Sequence, residues 1–197
     1  MFNLKNLFAR ALLALMLATG AAAASAGPIY HVTIDTQGMT GTGFFDFLLL
    51  GDASTAAPAT FTLSNFTGLY GLGVTDGDAS GNVGSNVIMG NADGYAHLLQ
   101  AVTLGGVFGF NLEFAVGLEG DASVLGIALI NEAMDAYLGM DGDLAQFELA
   151  PSGLVISPDN VFVSISPVSE VPEPAAMALL ALGLMILGWT MRQRGMR

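Results

Sequence analysis

Residues 107–116 read VFGFNLEFAV, and within them Phe110, Leu112, Phe114 and Val116 recur at every second position. Successive side chains of a strand point to opposite faces of a sheet, so this spacing predicts a strand with one face turned to a core. Glu113, between Leu112 and Phe114, is turned outward by the same rule. Working outward, Tyr30-Val32-Ile34, Phe61-Leu63, Leu125-Ile127-Leu129 and Val161-Val163-Ile165 repeat the pattern. Gly38 and the stretches TDGDASGN, NADG, LEGD, MDGD and SPDN divide these runs with turn-forming residues. NEAMDAYL at 131–138 is the one short helix the pattern predicts. Eight to ten short strands are expected in residues 27–170, an all-β antiparallel sandwich or jelly-roll-like domain in which two facing sheets supply the core. A β-solenoid is the alternative, but no fixed repeat period is present.

Charge is distributed unevenly. The five basic residues are Lys5, Arg10, Arg192, Arg194 and Arg197, whereas all of the 17 acids except Glu173 lie between Gly27 and Val171. The net charge is −12. An anionic middle with no lysine or arginine lacks the main source of affinity for nucleic acid and for anionic lipid. The chain has no cysteine, which removes disulfides, thiolate metal sites and thiol nucleophiles.

Both ends carry membrane-directed patterns. MFNLKNLFARALLALMLATGAAAASAGP has basic residues, an apolar run from Ala11 to about Ala18 and small residues up to Ala24-Ser25-Ala26. It reads as a signal peptide over residues 1–26, cut by signal peptidase after Ala26 or Ala24. Residues 175–191 contain no charge and only Thr190 as a polar side chain. As a helix they would extend roughly 26 Å, a short transmembrane span. Arginines beyond it place the C-terminus in the cytoplasm, and Lys5 and Arg10 place the N-terminus there, so the intervening residues lie outside. Pro172 and Pro174 fix φ and keep Val171 and Glu173 out of the helical region, holding residues 171–174 extended. Pro174 can begin the following helix, with Glu173 at its positive end.

The ending VPEPAAMALLALGLMILGWTMRQRGMR at 171–197 resembles the PEP-CTERM sorting signal: a Val-Pro-Glu-Pro motif, an apolar helix and a basic tail at 192–197. The resemblance implies that Val171, Pro172, Glu173, Pro174, Arg192, Arg194 and Arg197 form the recognition element. It also implies that the reader is an exosortase, an integral-membrane processing enzyme of Gram-negative bacteria that make exopolysaccharide. The start of the exported region, YHVTIDTQGMTGTGFFDFLLL, is similar to the opening of a PEP-CTERM subfamily whose domain has no assigned activity. The expected localisation is export across the inner membrane, transient anchoring by the C-terminal helix, then the cell surface or extracellular matrix.

Candidate chemistry in the exported domain is sparse. DGDASGN at 76–82 places Asp76, Asp78 and Ser80 at ligand spacing, with Gly81 at the turn position of a calcium loop. Val87 stands where the bidentate glutamate would be, so a helix-flanked EF-hand is not expected. A weak oxygen-only Ca²⁺ site remains if folding brings Asp141 and Asp143 to these residues; solvated acidic turns are the other reading. No other cofactor is expected. His31 reads as an exposed strand residue and His97 as a strand-start or loop residue. Tyr70, Tyr95 and Tyr137 are candidate sugar-stacking rings, with core or turn packing as their alternative, and Trp189 belongs to the apolar tail. No carboxylate pair is singled out for glycoside hydrolysis, and no G-x-S-x-G setting surrounds Ser54, Ser123 or Ser152. The sequence therefore predicts a non-enzymatic structural or adhesive protein associated with exopolysaccharide. A carbohydrate-binding module or polysaccharide hydrolase is the alternative.

Overall fold

A computed structural model describes residues 28–157 and 160–168, together with the isolated Gly183. The signal peptide, the sorting signal and the 175–191 span lie outside these residues. Among the described residues no helix is long and apolar enough to cross a membrane.

Among the described residues, twelve strands form two six-stranded antiparallel sheets. In chain order they are β1 (Ile29–Asp35), β2 (Thr42–Leu50), β3 (Ala59–Thr67), β4 (Tyr70–Gly77), β5 (Ala79–Gly81) and β6 (Val87–Gly90), then β7 (Tyr95–Thr103), β8 (Val107–Val116), β9 (Ser123–Asn131), β10 (Asp143–Ala150), β11 (Gly153–Ser157) and β12 (Val163–Val168). Sheet A runs β12-β1-β8-β3-β6-β5 and sheet B runs β11-β10-β9-β2-β7-β4. The first eight strands pair first with eighth, second with seventh and third with sixth. This nested order is the wrapping of a jelly roll. Beyond it, β9 to β11 extend sheet B from β2, and β12 extends sheet A from β1.

β8 lies between β1 and β3 in the interior of sheet A. In β8, Phe108, Phe110 and Leu112 are buried, and in β2 the alternation of TGFFDFLLL buries Phe45, Phe47 and Leu49. The two strands belong to different sheets, and their rings meet edge-on across the interior: Phe45 with Phe108 at 5.0 Å and Phe47 with Phe110 at 5.5 Å. Each fully buried phenylalanine contributes about 2–3 kcal/mol of transfer free energy, and the edge-to-face geometry adds about 1 kcal/mol per pair. Val32, Ile34, Phe61 and Leu63 join from sheet A; Leu125, Ile127, Leu129 and Phe147 join from sheet B. One core holds both layers together.

Three expectations are corrected. Asn131 ends β9, and residues 132–138 form turns and bends with an isolated bridge from Tyr137 to Ile130, not a helix. Asn131 Oδ1 accepts from the backbone N–H of Asp135 and Ala136, its Nδ2 donates to Asp135 Oδ1, and Met134 takes φ 57°, so the side chain offers the backbone an alternative to helical bonding. Val161 is 90% exposed and precedes β12, because Asn160 Oδ1 takes the N–H groups of Phe162 and Val163 and turns the chain there. Finally, TDGDASGN is a corner, not a loop. β4 in sheet B and β5 in sheet A are separated only by Asp78, and Gly77, at φ 64°, makes the change of direction. A Cβ at Gly77 would stand 2.6 Å from the Tyr95 carbonyl oxygen, so glycine is required sterically as well.

Candidate functional site

Asp78 is the pivot of that corner. Its N–H donates to the Tyr95 carbonyl at 3.0 Å, its carbonyl accepts from Gly90 N–H at 2.8 Å, and its Oδ2 accepts from Ala92 N–H at 3.0 Å. Backbone and side chain together bind the corner to β6, β7 and the turn between them. Asp76, two residues earlier, pairs with His97 across β4 and β7 and accepts from the Tyr95 hydroxyl at 3.1 Å. That hydrogen bond, with the Asp76 charge beside it, raises the Tyr95 pKa. Ser80 pairs with the half-exposed Ile88 in sheet A. Asp76 and Ser80 therefore face opposite sides of the sandwich.

Asp141 and Asp143 are remote from the corner. Asp143 begins β10, accepts from Gln146 Nε2 at 2.8 Å, and is separated from β4 by β9, β2 and β7. The five residues Asp76, Asp78, Ser80, Asp141 and Asp143 do not meet at one point. Among the described residues no group of three or more His, Cys, Asp and Glu side chains is arranged to hold a metal ion.

The histidines sit inside strands. His97, the third residue of β7, is half-buried, and its Nε2–H donates to Asp46 Oδ1 at 2.7 Å. His31 is half-buried in β1, with Nδ1 2.8 Å from Asn111 Oδ1. His97 lies near the start of its strand, as one of its two readings has it, and His31 lies on a strand as expected but is half-buried rather than exposed. Tyr70 packs inside, edge-on to Phe66 and Phe108 at 5.5 and 5.2 Å, and burial pushes its pKa up. Core packing is thus its role. Tyr95 and Tyr137 are exposed, on β7 and in the 131–138 turn. Trp189 lies outside the described residues.

Sequence reasoning missed Asn91, hidden in the turn signal NADG. It is 7% exposed, its Oδ1 accepts from Ala59 N–H at 2.9 Å, and its Nδ2 donates to Ala57 O at 2.7 Å and Ser123 Oγ at 2.9 Å. A cleft of about 350 Å³ opens beside it, lined by Pro58, Thr60, Asp78, Ala92 and Val116 among others. Its one carboxylate is the corner aspartate. Ser123 Oγ serves Asn91, and Ser54 Oγ donates to Asp52 Oδ1, so both hydroxyls have structural partners.

The two outer faces differ in chemistry. On sheet A a row of polar side chains, Ser166, His31, Asn111 and Ser64, crosses four strands in register, beside Thr62 and Glu113. On sheet B the central rows are mostly apolar: Ile130, Phe44 and Ala101, then Ala128, Asp46, Leu99 and Val74. The row on sheet A carries hydroxyl and amide groups that donate and accept hydrogen bonds, whereas in the sheet B rows named here Asp46, bonded to His97, is the one polar side chain.

Residues 170–194 match the family model of the PEP-CTERM protein-sorting motif. The chain carries a PEP-CTERM sorting signal. The match includes Val171, Pro172, Glu173, Pro174, Arg192 and Arg194, while Arg197 lies beyond it. This motif implies exosortase-dependent processing, with export and membrane-associated sorting. No curated protein and no solved structure matches the chain.

Proposed function

We propose that the PEP-CTERM chain is an exported structural or adhesive module of a Gram-negative cell surface or extracellular matrix. Its C-terminal signal delivers it to an exosortase, and it works without catalysis. The observation that carries the reading is the sorting motif at 170–194, placed on a chain whose cationic residues are confined to its two ends. In this reading signal peptidase removes residues 1–26, the 175–191 segment anchors the chain transiently, and residues 171–174 with Arg192, Arg194 and Arg197 are what the exosortase grips.

Association with exopolysaccharide is supported by the polar outer face of sheet A. Sugar hydroxyls both donate and accept, and Ser166, His31, Asn111, Ser64 and Thr62 offer both functions with no fixed positive charge. Between the two carbohydrate alternatives, this face favours a binding module over a hydrolase. Glu113, the acid among these side chains, has Thr62 as its cross-strand neighbour, whereas hydrolysis needs a second carboxyl group within roughly 5–9 Å.

Protease shaving of intact cells tests the placement. The 28–168 region is expected to be digested from outside while cytoplasmic proteins survive. Protection in intact cells with digestion after lysis would reject the proposal.

A further inference from the structure

The cleft beside Asn91 is continuous with the polar outer face of sheet A. Phe61 and Leu63 point into the core, so Thr60, Thr62 and Ser64 project from the opposite side of β3. Thr60 lines the cleft and pairs with Ala115 on β8 and with Gly90 on β6. A side chain at Gly90 would collide with the Asp78 carboxylate, which lies over that position. Ala92 N–H holds Asp78 Oδ2 at 3.0 Å, whereas Asp78 Oδ1 and the Thr60 hydroxyl have no hydrogen-bond partner among the described residues. Pro58, Ala115 and Val116 add apolar surface. The walls are set before a ligand arrives, because Asn91 ties Ala57 and Ala59 to Ser123 and the Asp78 carbonyl takes Gly90 N–H.

We propose that this cleft of about 350 Å³ is a sugar subsite that takes one ring of a neutral polysaccharide, whose following units run over Thr62 and Ser64 toward Asn111. The inference rests on the exopolysaccharide reading and adds the class of glycan and the place where it is gripped. The volume is at the small end of ligand sites. A pyranose carries hydroxyls around its edge and C–H groups on its faces. Asp78 Oδ1 accepts from the hydroxyls and Thr60 donates or accepts, while Pro58, Ala115 and Val116 cover a C–H face. Charge sets the class. Asp78 is the one acidic residue of the cleft, and no lysine or arginine lies between Gly27 and Val171. A uronate or phosphate group brought here meets a carboxylate with no cation to offset the repulsion.

The full unprocessed chain, held in micelles of a non-glycosidic detergent, is titrated by calorimetry with neutral gluco-, galacto- and manno-oligosaccharides and with oligogalacturonate. The wild type is expected to bind at least one neutral series and not the uronate. Ala115→Phe fills the cleft from an exposed position of β8, and Asp78→Asn keeps an acceptor for Ala92 N–H. Each is expected to weaken that binding by about tenfold or more, with circular dichroism unchanged. Neutral-glycan binding that both variants retain would overturn the subsite and leave polysaccharide association standing. Uronate binding as tight as neutral binding would overturn the ligand class. No binding to any of the glycans would overturn both this inference and the exopolysaccharide reading beneath it.

Discussion

Ile29 and Val168 are register partners on β1 and β12, so the first and last strands of the domain bring its two ends side by side. A domain entered and left at one corner of sheet A can hang from a single point. The sorting motif, at 170–194, begins two residues after Val168 in the chain.

Tyr70 gives a prediction in which losing an atom helps. Its hydroxyl is buried without a hydrogen-bond partner, while its ring packs on Phe66 and Phe108. Tyr70→Phe removes the stranded polar group and keeps the ring, and is expected to raise unfolding stability by about 1 kcal/mol in urea titration. Burial holds the folded pKa above 10.0, so the folded state resists ionisation. Stability from this group is complete below pH 10 and falls as pH rises from there toward the folded pKa. The wild type should lose stability in that alkaline window more steeply than Tyr70→Phe. Equal slopes, with Tyr70→Phe less stable at neutral pH, would contradict this account.

Asn91→Ala should act in the opposite direction. It strands the Ala59 N–H and the Ala57 carbonyl in a buried setting and deprives Ser123 Oγ of its donor. A loss of about 3 kcal/mol is expected, since each abandoned buried group costs about 1–3 kcal/mol and the three are coupled. Asn91→Asp, which keeps the acceptor but loses the donors, should also destabilise. Chemical unfolding of both variants checks this.

Much of the fold was readable because its determinant is period-two burial. Phe61 and Leu63, Phe110 and Leu112, and Leu125, Ile127 and Leu129 fall on the inner faces as their spacing requires. Twelve strands appear where eight to ten were expected, because β5 and β6 are three and four residues long and the glycines around them resemble turns. The corner at Asp78 was unreadable for a related reason. Asp and Gly at alternate positions serve a calcium loop and a change of sheet equally well, and only long-range pairing of Asp76 with His97 and of Ser80 with Ile88 distinguishes them. Asn91 was hidden because its three hydrogen bonds reach across more than 30 residues of sequence. The sorting signal, by contrast, is linear and needs no fold to be read.

The divergence of the acidic residues predicts the response to metal. Asp76 and Ser80 face opposite sides of the sandwich, and Asp143 lies across sheet B. Titration calorimetry with millimolar Ca²⁺ is expected to match Mg²⁺ at the same ionic strength, with no Ca²⁺-specific rise in melting temperature. A saturable heat for Ca²⁺ alone, abolished by Asp76→Asn, would show that a site does assemble.

The central claim concerns the C-terminus, and the mass of the exported protein from its native host tests it most directly. Wild type and Glu173→Ala are compared by intact-mass spectrometry. The account predicts that the wild type has lost the apolar and basic residues following the Pro172-Glu173-Pro174 element, while Glu173→Ala retains them through Arg197. Identical masses with the tail intact in both would contradict it.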